Sequence, residues 1–325
     1  MPRSGVLLLG FGGPDSIDAV GPFMCNLMGR EPSDELLQRV CRRYLTIGGS
    51  SPLPAIAASI GEKLQSALAE QGLDVPVDVG MRYWHPYIDE ALARLKAAEC
   101  ERVVTVSLSP FESKVASDAY REAVREAAES LGGLEIVEAP LVSELPEFVD
   151  YLAGGTAVAI TDLEPNEGAI IAFTAHSLPL EDLREEDPYV SGLERTAQAL
   201  AEKLGLGIGF EGAGSSMFES FRAFGTGERP RAWYLVYQSK GQKPGEWLEP
   251  DLDGLIDACI AAEIPAIVVC PIGFVTDHME TLYDLDVVAA DKALSADVEF
   301  MRAPVPNDDD GFVAAIARSV AELVR

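Results

Sequence analysis

The chain has 325 residues, enough for two domains of ordinary size. Its 25 Lys and Arg against 53 Asp and Glu give a formal charge of −28, which repels phosphate backbones and anionic bilayers and so excludes nucleic acid and lipid headgroups as partners. With 48% hydrophobic residues, charges spread along the whole length and no apolar run near the ~18 residues of a membrane span, the composition describes a folded protein without a transmembrane helix.

The first element is the apolar run 5–10 (Gly-Val-Leu-Leu-Leu-Gly), too short for a secretory signal, which reads as a buried strand. The turn Gly10-Phe11-Gly12-Gly13-Pro14-Asp15 stands where a dinucleotide fingerprint would, but Asp15 replaces the third glycine and would compete with a pyrophosphate. Its glycines suit the approach of a flat ligand to the backbone, or simply a tight turn. Periodicity then predicts helices at 34–46 and 53–71, a strand at 76–82, a helix at 87–97, a strand at 102–108, a helix at 114–131 and a strand at 134–139. A break at Pro140–Pro146 separates this from a second series: helix 146–154, strand 168–175, helix 190–204, strands 232–237 and 265–270, helix 279–292 and strand 297–300, with a further helix at 251–262. The Gly-rich stretch 205–230, carrying Phe218, Phe221 and Phe224, reads as a long loop packed on its own domain or serving as a lid.

Uniformly apolar strands alternating with amphipathic helices give the class α/β, with parallel sheets covered by helices on both faces. The domains are expected at 1–147 and 148–308, with the helix 309–325 packing back on the body. Five cysteines, odd in number and without a CxxC pair, suggest neither a disulfide framework nor a structural zinc, and place the protein in the cytoplasm.

Two segments carry candidate chemistry. His176, in Phe173-Thr-Ala-His-Ser-Leu-Pro179, ends a strand, where open α/β sheets present their ligands; alone it fits a structural role as well as a catalytic one. The second, Pro271-Ile-Gly-Phe-Val-Thr-Asp277-His278-Met-Glu280-Thr-Leu-Tyr283-Asp284-Leu-Asp286, follows another strand. On a helix beginning near Asp277, Glu280 and Asp284 share one face with Asp277 a turn earlier. That pattern fits a capping box at Asp277 and Glu280, and equally a row of carboxylates leading to a site. A His with a Glu offers a first-row metal such as Fe²⁺ an N/O ligand set, and also forms a proton-transfer pair. His278 points off that face and reads as structural, whereas His85, with Tyr83 and Trp84, lines an apolar cleft or caps the core.

These two strings resemble the signature segments of the ferrochelatases. Supporting segments are Arg43-Tyr-Leu-Thr-Ile-Gly-Gly-Ser-Ser-Pro-Leu53, Gly80-Met-Arg-Tyr-Trp-His-Pro86 and Tyr237-Gln-Ser-Lys-Gly-Gln-Lys-Pro-Gly-Glu-Trp-Leu-Glu-Pro-Asp251. The resemblance is strongest to the soluble, monomeric bacterial enzymes that act on coproporphyrin III. It implies two Rossmann-like domains, each with a parallel four-stranded sheet flanked by helices, and an active-site cleft between them. It further implies a lyase of haem biosynthesis inserting Fe²⁺ into coproporphyrin III, with ferrous iron and the porphyrin as its partners. His176 and Glu280 match the metal-handling and proton-abstracting pair. Phe11, Arg43, Tyr44, Ser51 and Tyr120 match porphyrin-holding positions, and Asp284 and Asp277 a proton or metal path.

Several residues depart from the family pattern. Phe11 stands where related enzymes often carry Tyr, Leu27 and Met28 where basic residues occur, and Val288 where the carboxylate row continues. No cysteine follows Cys270, so no iron–sulfur cluster and no cofactor beyond the substrate iron are expected. Two other readings share the fold: a tetrapyrrole- or haem-binding protein of weak activity, and a chelatase for protoporphyrin IX or another metal.

Overall fold

The computed structural model describes residues 3–163, 168–207, 209–210, 232–241 and 243–325, and the expected loop at 205–230 lies largely outside them. Backbone contacts divide the chain into two units, one of residues 1–148, 275–279 and 306–325, the other of 149–274 and 280–305.

The first unit is built on β1 (Ser4–Gly10), β2 (Val77–Met81), β3 (Arg102–Ser107) and β4 (Glu135–Glu138), hydrogen-bonded in the order β2-β1-β3-β4. All three pairings are parallel, with Val6 opposite Val77 on one side and Val104 on the other. Central β1 is buried at every position because helices cover both its faces, which is why it reads as a continuous apolar run rather than an alternating one. On one face Leu7 and Leu9 pack with Ile88, Leu92, Leu95 and Tyr120. The helix Leu53–Glu70 buries Ala57, Ile60, Gly61, Leu64 and Leu68, the three-and-four spacing from which it was predicted.

The helix Val20–Met28 was not among those expected. Pro22 falls in its first turn, where an amide N–H has no intrahelical acceptor to lose, and Gly29 ends it at φ 65°. The helix predicted at 114–131 begins with a wider π turn, Lys114–Asp118, before the α-helix Ala119–Ser130. The terminal helix Asp310–Ala321 is capped by Asp309, whose carboxylate accepts from Phe312 N at 2.9 Å, and it packs on Leu53–Glu70. Phe312 meets Phe148 at 6.2 Å between ring centroids, and Lys63 Nζ reaches Asp308 at 3.1 Å and Asp310 at 2.8 Å.

The second unit holds β5 (Ile170–His176), β6 (Gly209–Phe210), β7 (Trp233–Gln238), β8 (Ala266–Cys270) and β9 (Glu299–Arg302), in the parallel order β6-β7-β5-β8-β9. Four of these strands answer the expectation; β6 adds a two-residue edge strand that its Gly-rich sequence did not announce. Phe173 faces Leu235 in one ladder and Cys270 in the other. The helix from Pro146 runs on to Asp162, past the stop expected at 154. Gly155 is there for close approach rather than for a turn, since a Cβ on it would stand 3.0 Å from the Pro304 ring.

Burial pushes the thiols of Cys259 and Cys270 up to about 12 and that of Cys100 upward as well, while Cys25 and Cys41 are half-buried. Only thiolates attack disulfides at useful rates. We expect two rapid equivalents with Ellman's reagent at pH 8 in the native protein and five in guanidinium; a third rapid equivalent in the native state contradicts this packing.

Candidate active site

β5 is buried from Ile170 to Ala175, and His176 is its first residue to emerge, at the carboxyl edge of the parallel sheet. Its side chain is 35% exposed. The strand end is held from three directions: Tyr189 Oη donates to the His176 carbonyl at 2.8 Å, Ser177 N donates to the Gln238 carbonyl at 2.8 Å, and Ser177 Oγ donates to the Leu248 carbonyl at 2.9 Å. Burial raises the Tyr189 hydroxyl well above its ordinary pKa, so it stays a donor throughout the working pH range.

His176 Nδ1 lies 3.3 Å from the Gln238 carbonyl oxygen. A carbonyl can only accept, so Nδ1 carries the proton and, in the neutral ring, Nε2 carries the lone pair. That lone pair faces Glu280, whose Oε1 is 3.7 Å from Nε2, with the carboxylate side chain 28% exposed. The pair thus sets an imidazole nitrogen against a carboxyl oxygen across a gap too long for a direct hydrogen bond. A cation or a proton placed between them is attracted by both.

Glu280 arrives from β8. After Cys270 the chain turns through Pro271-Ile-Gly273, and Gly273 N donates to the Thr174 carbonyl at 3.0 Å, binding this turn to the last residues of β5. A Cβ on Gly273 would lie 2.7 Å from Ala175 Cβ and 2.8 Å from Ala175 Cα. The signature glycine is therefore required by the proximity of β5.

The single helix predicted at 279–292 is instead three pieces: Met279–Leu282, a π-helical Asp284–Ala289 and Ala290–Leu294. The Tyr283 carbonyl accepts from both Val287 N at 3.2 Å and Val288 N at 2.9 Å, which widens the turn by a residue. Asp277 precedes the first piece and Glu280 and Asp284 fall in different ones, so the three do not lie on a single regular helix. Asp284 Oδ2 accepts from Ser239 Oγ at 2.6 Å, and Asp286 pairs with Arg302 at 2.5 and 2.8 Å. Asp277 precedes the helix, and its carboxylate accepts from Asn307 Nδ2 at 2.8 Å. His278 Nδ1 donates to the Thr276 carbonyl at 3.0 Å.

In the first unit, the turns after β1 and β2 are joined by Arg82 N donating to the Gly10 carbonyl at 2.9 Å and Tyr83 N to the Phe11 carbonyl at 3.0 Å. Phe11, 37% exposed, lies 4.7 Å from the Tyr83 ring, over which Arg82 is placed at 5.2 Å. Ser51 is buried against Gly13, where an added Cβ would be 2.6 Å from Ser51 Oγ, and its Oγ accepts from Leu53 N at 3.4 Å. Arg43 lies in the last turn of the helix Asp34–Thr46. Tyr44 and Tyr120 are core residues, 5% and 2% exposed, and the Tyr120 hydroxyl is 3.3 Å from Ser109 Oγ. His85 Nδ1 is 3.2 Å from Glu90 Oε2 on an exposed face.

The sequence reading assigned no role to Tyr189, Gln238, Ser239 or Arg82. Gln238 and Ser239 fall inside the segment 237–251 that carried part of the resemblance, which was the available signal.

A family model described as Ferrochelatase matches residues 3–323. Among curated proteins, the chain is 35% identical to the coproporphyrin III ferrochelatase of Streptomyces griseus, covering 97% of this chain and 84% of that one. It is 28% identical to coproporphyrin III ferrochelatase 2 of Bacillus anthracis, covering 99% and 95%. Among solved structures, SirB from Bacillus subtilis with Fe³⁺ superposes with a TM-score of 0.54 at 11% identity, covering 98% of this chain and 95% of that one, which shows a shared fold.

Proposed function

The chain belongs to the ferrochelatase family, and we propose that it inserts Fe²⁺ into coproporphyrin III to form coprohaem in haem biosynthesis. The observation that carries this reading is the opposition of His176 Nε2 and Glu280 Oε1 at 3.7 Å, with the histidine tautomer fixed by the Gln238 carbonyl. Metallation exchanges two pyrrole N–H protons for one ferrous ion, with no change of oxidation state. The site therefore needs a base that is neutral before reaction and a carboxylate that accepts a proton or steadies the cation. His176 and Glu280 are assigned these two roles, and Ser239 holds Asp284 as the next acceptor.

The porphyrin-holding roles of Phe11, Arg43 and Ser51 belong to the same proposal and are supported by the motif match. Tyr44 and Tyr120, matched to the same role, are buried in the core. Coproporphyrin carries four propionates, and an Arg with hydroxyl and backbone donors suits carboxylates against the overall negative charge of the chain. Arg82 over Tyr83 adds a cation beside Phe11. The protein works in this proposal as a monomer in the cytoplasm and without an iron–sulfur cluster.

The test is anaerobic addition of Fe²⁺ to purified protein with coproporphyrin III or protoporphyrin IX, followed by the visible spectrum. We expect conversion of coproporphyrin III to be the faster. Equal or reversed rates overturn the substrate, and tight binding without conversion overturns the reaction in favour of a tetrapyrrole-handling protein.

A further inference from the structure

Gln238 touches both members of the pair, by different atoms. It is the last residue of β7, in register with His176 across the ladder, and only 5% exposed. Its carbonyl accepts from Ser177 N and from His176 Nδ1. Its side-chain Nε2 donates to the backbone carbonyl of Glu280 at 2.9 Å and lies 3.3 Å from Ser239 Oγ. The orientation of the amide is fixed by chemistry, because turning it over would set its oxygen against the Glu280 oxygen. In that orientation Oε1 is buried and finds no hydrogen-bond partner among the described residues.

An apolar side chain of the same length would fill the space equally well, so packing alone does not account for an amide here. What the amide alone provides is the donor to Glu280. The short helix Met279–Leu282 has a single turn, and the π-helical segment that follows provides little stiffness of its own. Its position relative to β5 is set by what ties it down.

We propose that Gln238 is a positioning residue for metal insertion: its carbonyl selects the His176 tautomer while its side-chain amide clamps the turn that bears Glu280, so that one residue is tied to both members of the pair. Ser239, held at φ 59°, extends the clamp to Asp284. The proposal rests on the chelatase reading for its kinetic consequence but not for the clamp itself, and the two are measured separately.

Gln238→Met keeps length and the backbone carbonyl and removes only the amide. We expect kcat for iron insertion to fall about ten- to a hundredfold, the range for partners that orient a metal-handling group. Coproporphyrin affinity, read by fluorescence quenching, stays within about twofold on the same argument, since the amide orients and does not bind. Hydrogen–deuterium exchange in the segment 279–289 rises severalfold while β7 stays protected. Gln238→Leu, which also keeps the backbone carbonyl and lacks the donor, gives the same increase in exchange and a similar loss of kcat, and serves if the methionine variant does not fold. Unchanged exchange at 279–289 overturns the clamp whether or not the protein inserts iron. Raised exchange with parental kcat overturns the coupling to the reaction. A fall in kcat that merely follows lost porphyrin affinity or a lowered Tm assigns Gln238 a structural role only. A parent protein that inserts no iron, with raised exchange in the variant, removes the chelatase reading and leaves the clamp standing.

Discussion

Replacing His176 by alanine is expected to lower iron insertion at least about a hundredfold, the lower end of what a positioned proton-transfer group contributes. The fold has little stake in the ring. Its one described hydrogen bond goes to a carbonyl that already accepts from Ser177 N at 2.8 Å, so removal strands no buried group. The Tyr189 bond goes to the His176 backbone, which alanine keeps. Tm and coproporphyrin affinity should therefore stay near parental values while kcat collapses. Glu280→Gln removes the charge but retains the backbone carbonyl that Gln238 grips, and should cost a comparable factor. Since the proposed chemistry sets the two groups on one ion and one set of protons, the double variant should be little worse than either single one. Iron insertion by His176→Ala at the parental rate would remove the catalytic assignment, and strictly additive losses would mean that the two residues serve separate steps.

The sheets were legible because each central strand is covered on both faces, and a run such as Val6-Leu-Leu-Leu9 has no other soluble use. His176 was legible as a strand end followed by Ser-Leu-Pro. The carboxylate segment was misread in its geometry, since side-chain spacing assumes a regular α-helix and the switch at Tyr283 depends on backbone hydrogen bonds that leave no periodic trace. Val20–Met28 was hidden for a related reason: Pro22 breaks a helix in its interior but not in its first turn, and the position of that turn is not written in the residue itself. The supports of the pair were the least visible. Gln238 acts through its carbonyl and through an amide aimed at another carbonyl, and only the register of β7 against β5 brings them together.

Gly273→Ala is expected to show that the fold and the chemistry share one contact. Gly273 does not require a left-handed backbone; what it requires is space. An added methyl would stand 2.7 Å from Ala175 Cβ and 2.8 Å from Ala175 Cα, and no rotamer change relieves a clash with a Cα. Ordinary carbon contacts begin near 3.5 to 4 Å, so the turn and the end of β5 must separate by about 1 Å. Overpacking of this kind costs about 1–3 kcal/mol, and the bond from Gly273 N to the Thr174 carbonyl lengthens with it. The residue after Ala175 is His176, so the displacement passes to the ring, and a misplacement of about 1 Å in a reacting group costs about a hundredfold in rate. Both Tm and iron insertion should fall. Gly21→Ala is the control: its Cβ would meet nothing closer than 3.8 Å, it lies inside a helix, and it should leave activity at the parental level. Combining Gly273→Ala with Ala175→Gly removes the nearer of the two obstructing carbons and should restore part of the rate, but not all of it, because the Cα remains. No recovery in the double variant would mean that the loss arises elsewhere in the turn, and full activity in Gly273→Ala alone would mean that the distance between His176 and Glu280 is not set by this contact.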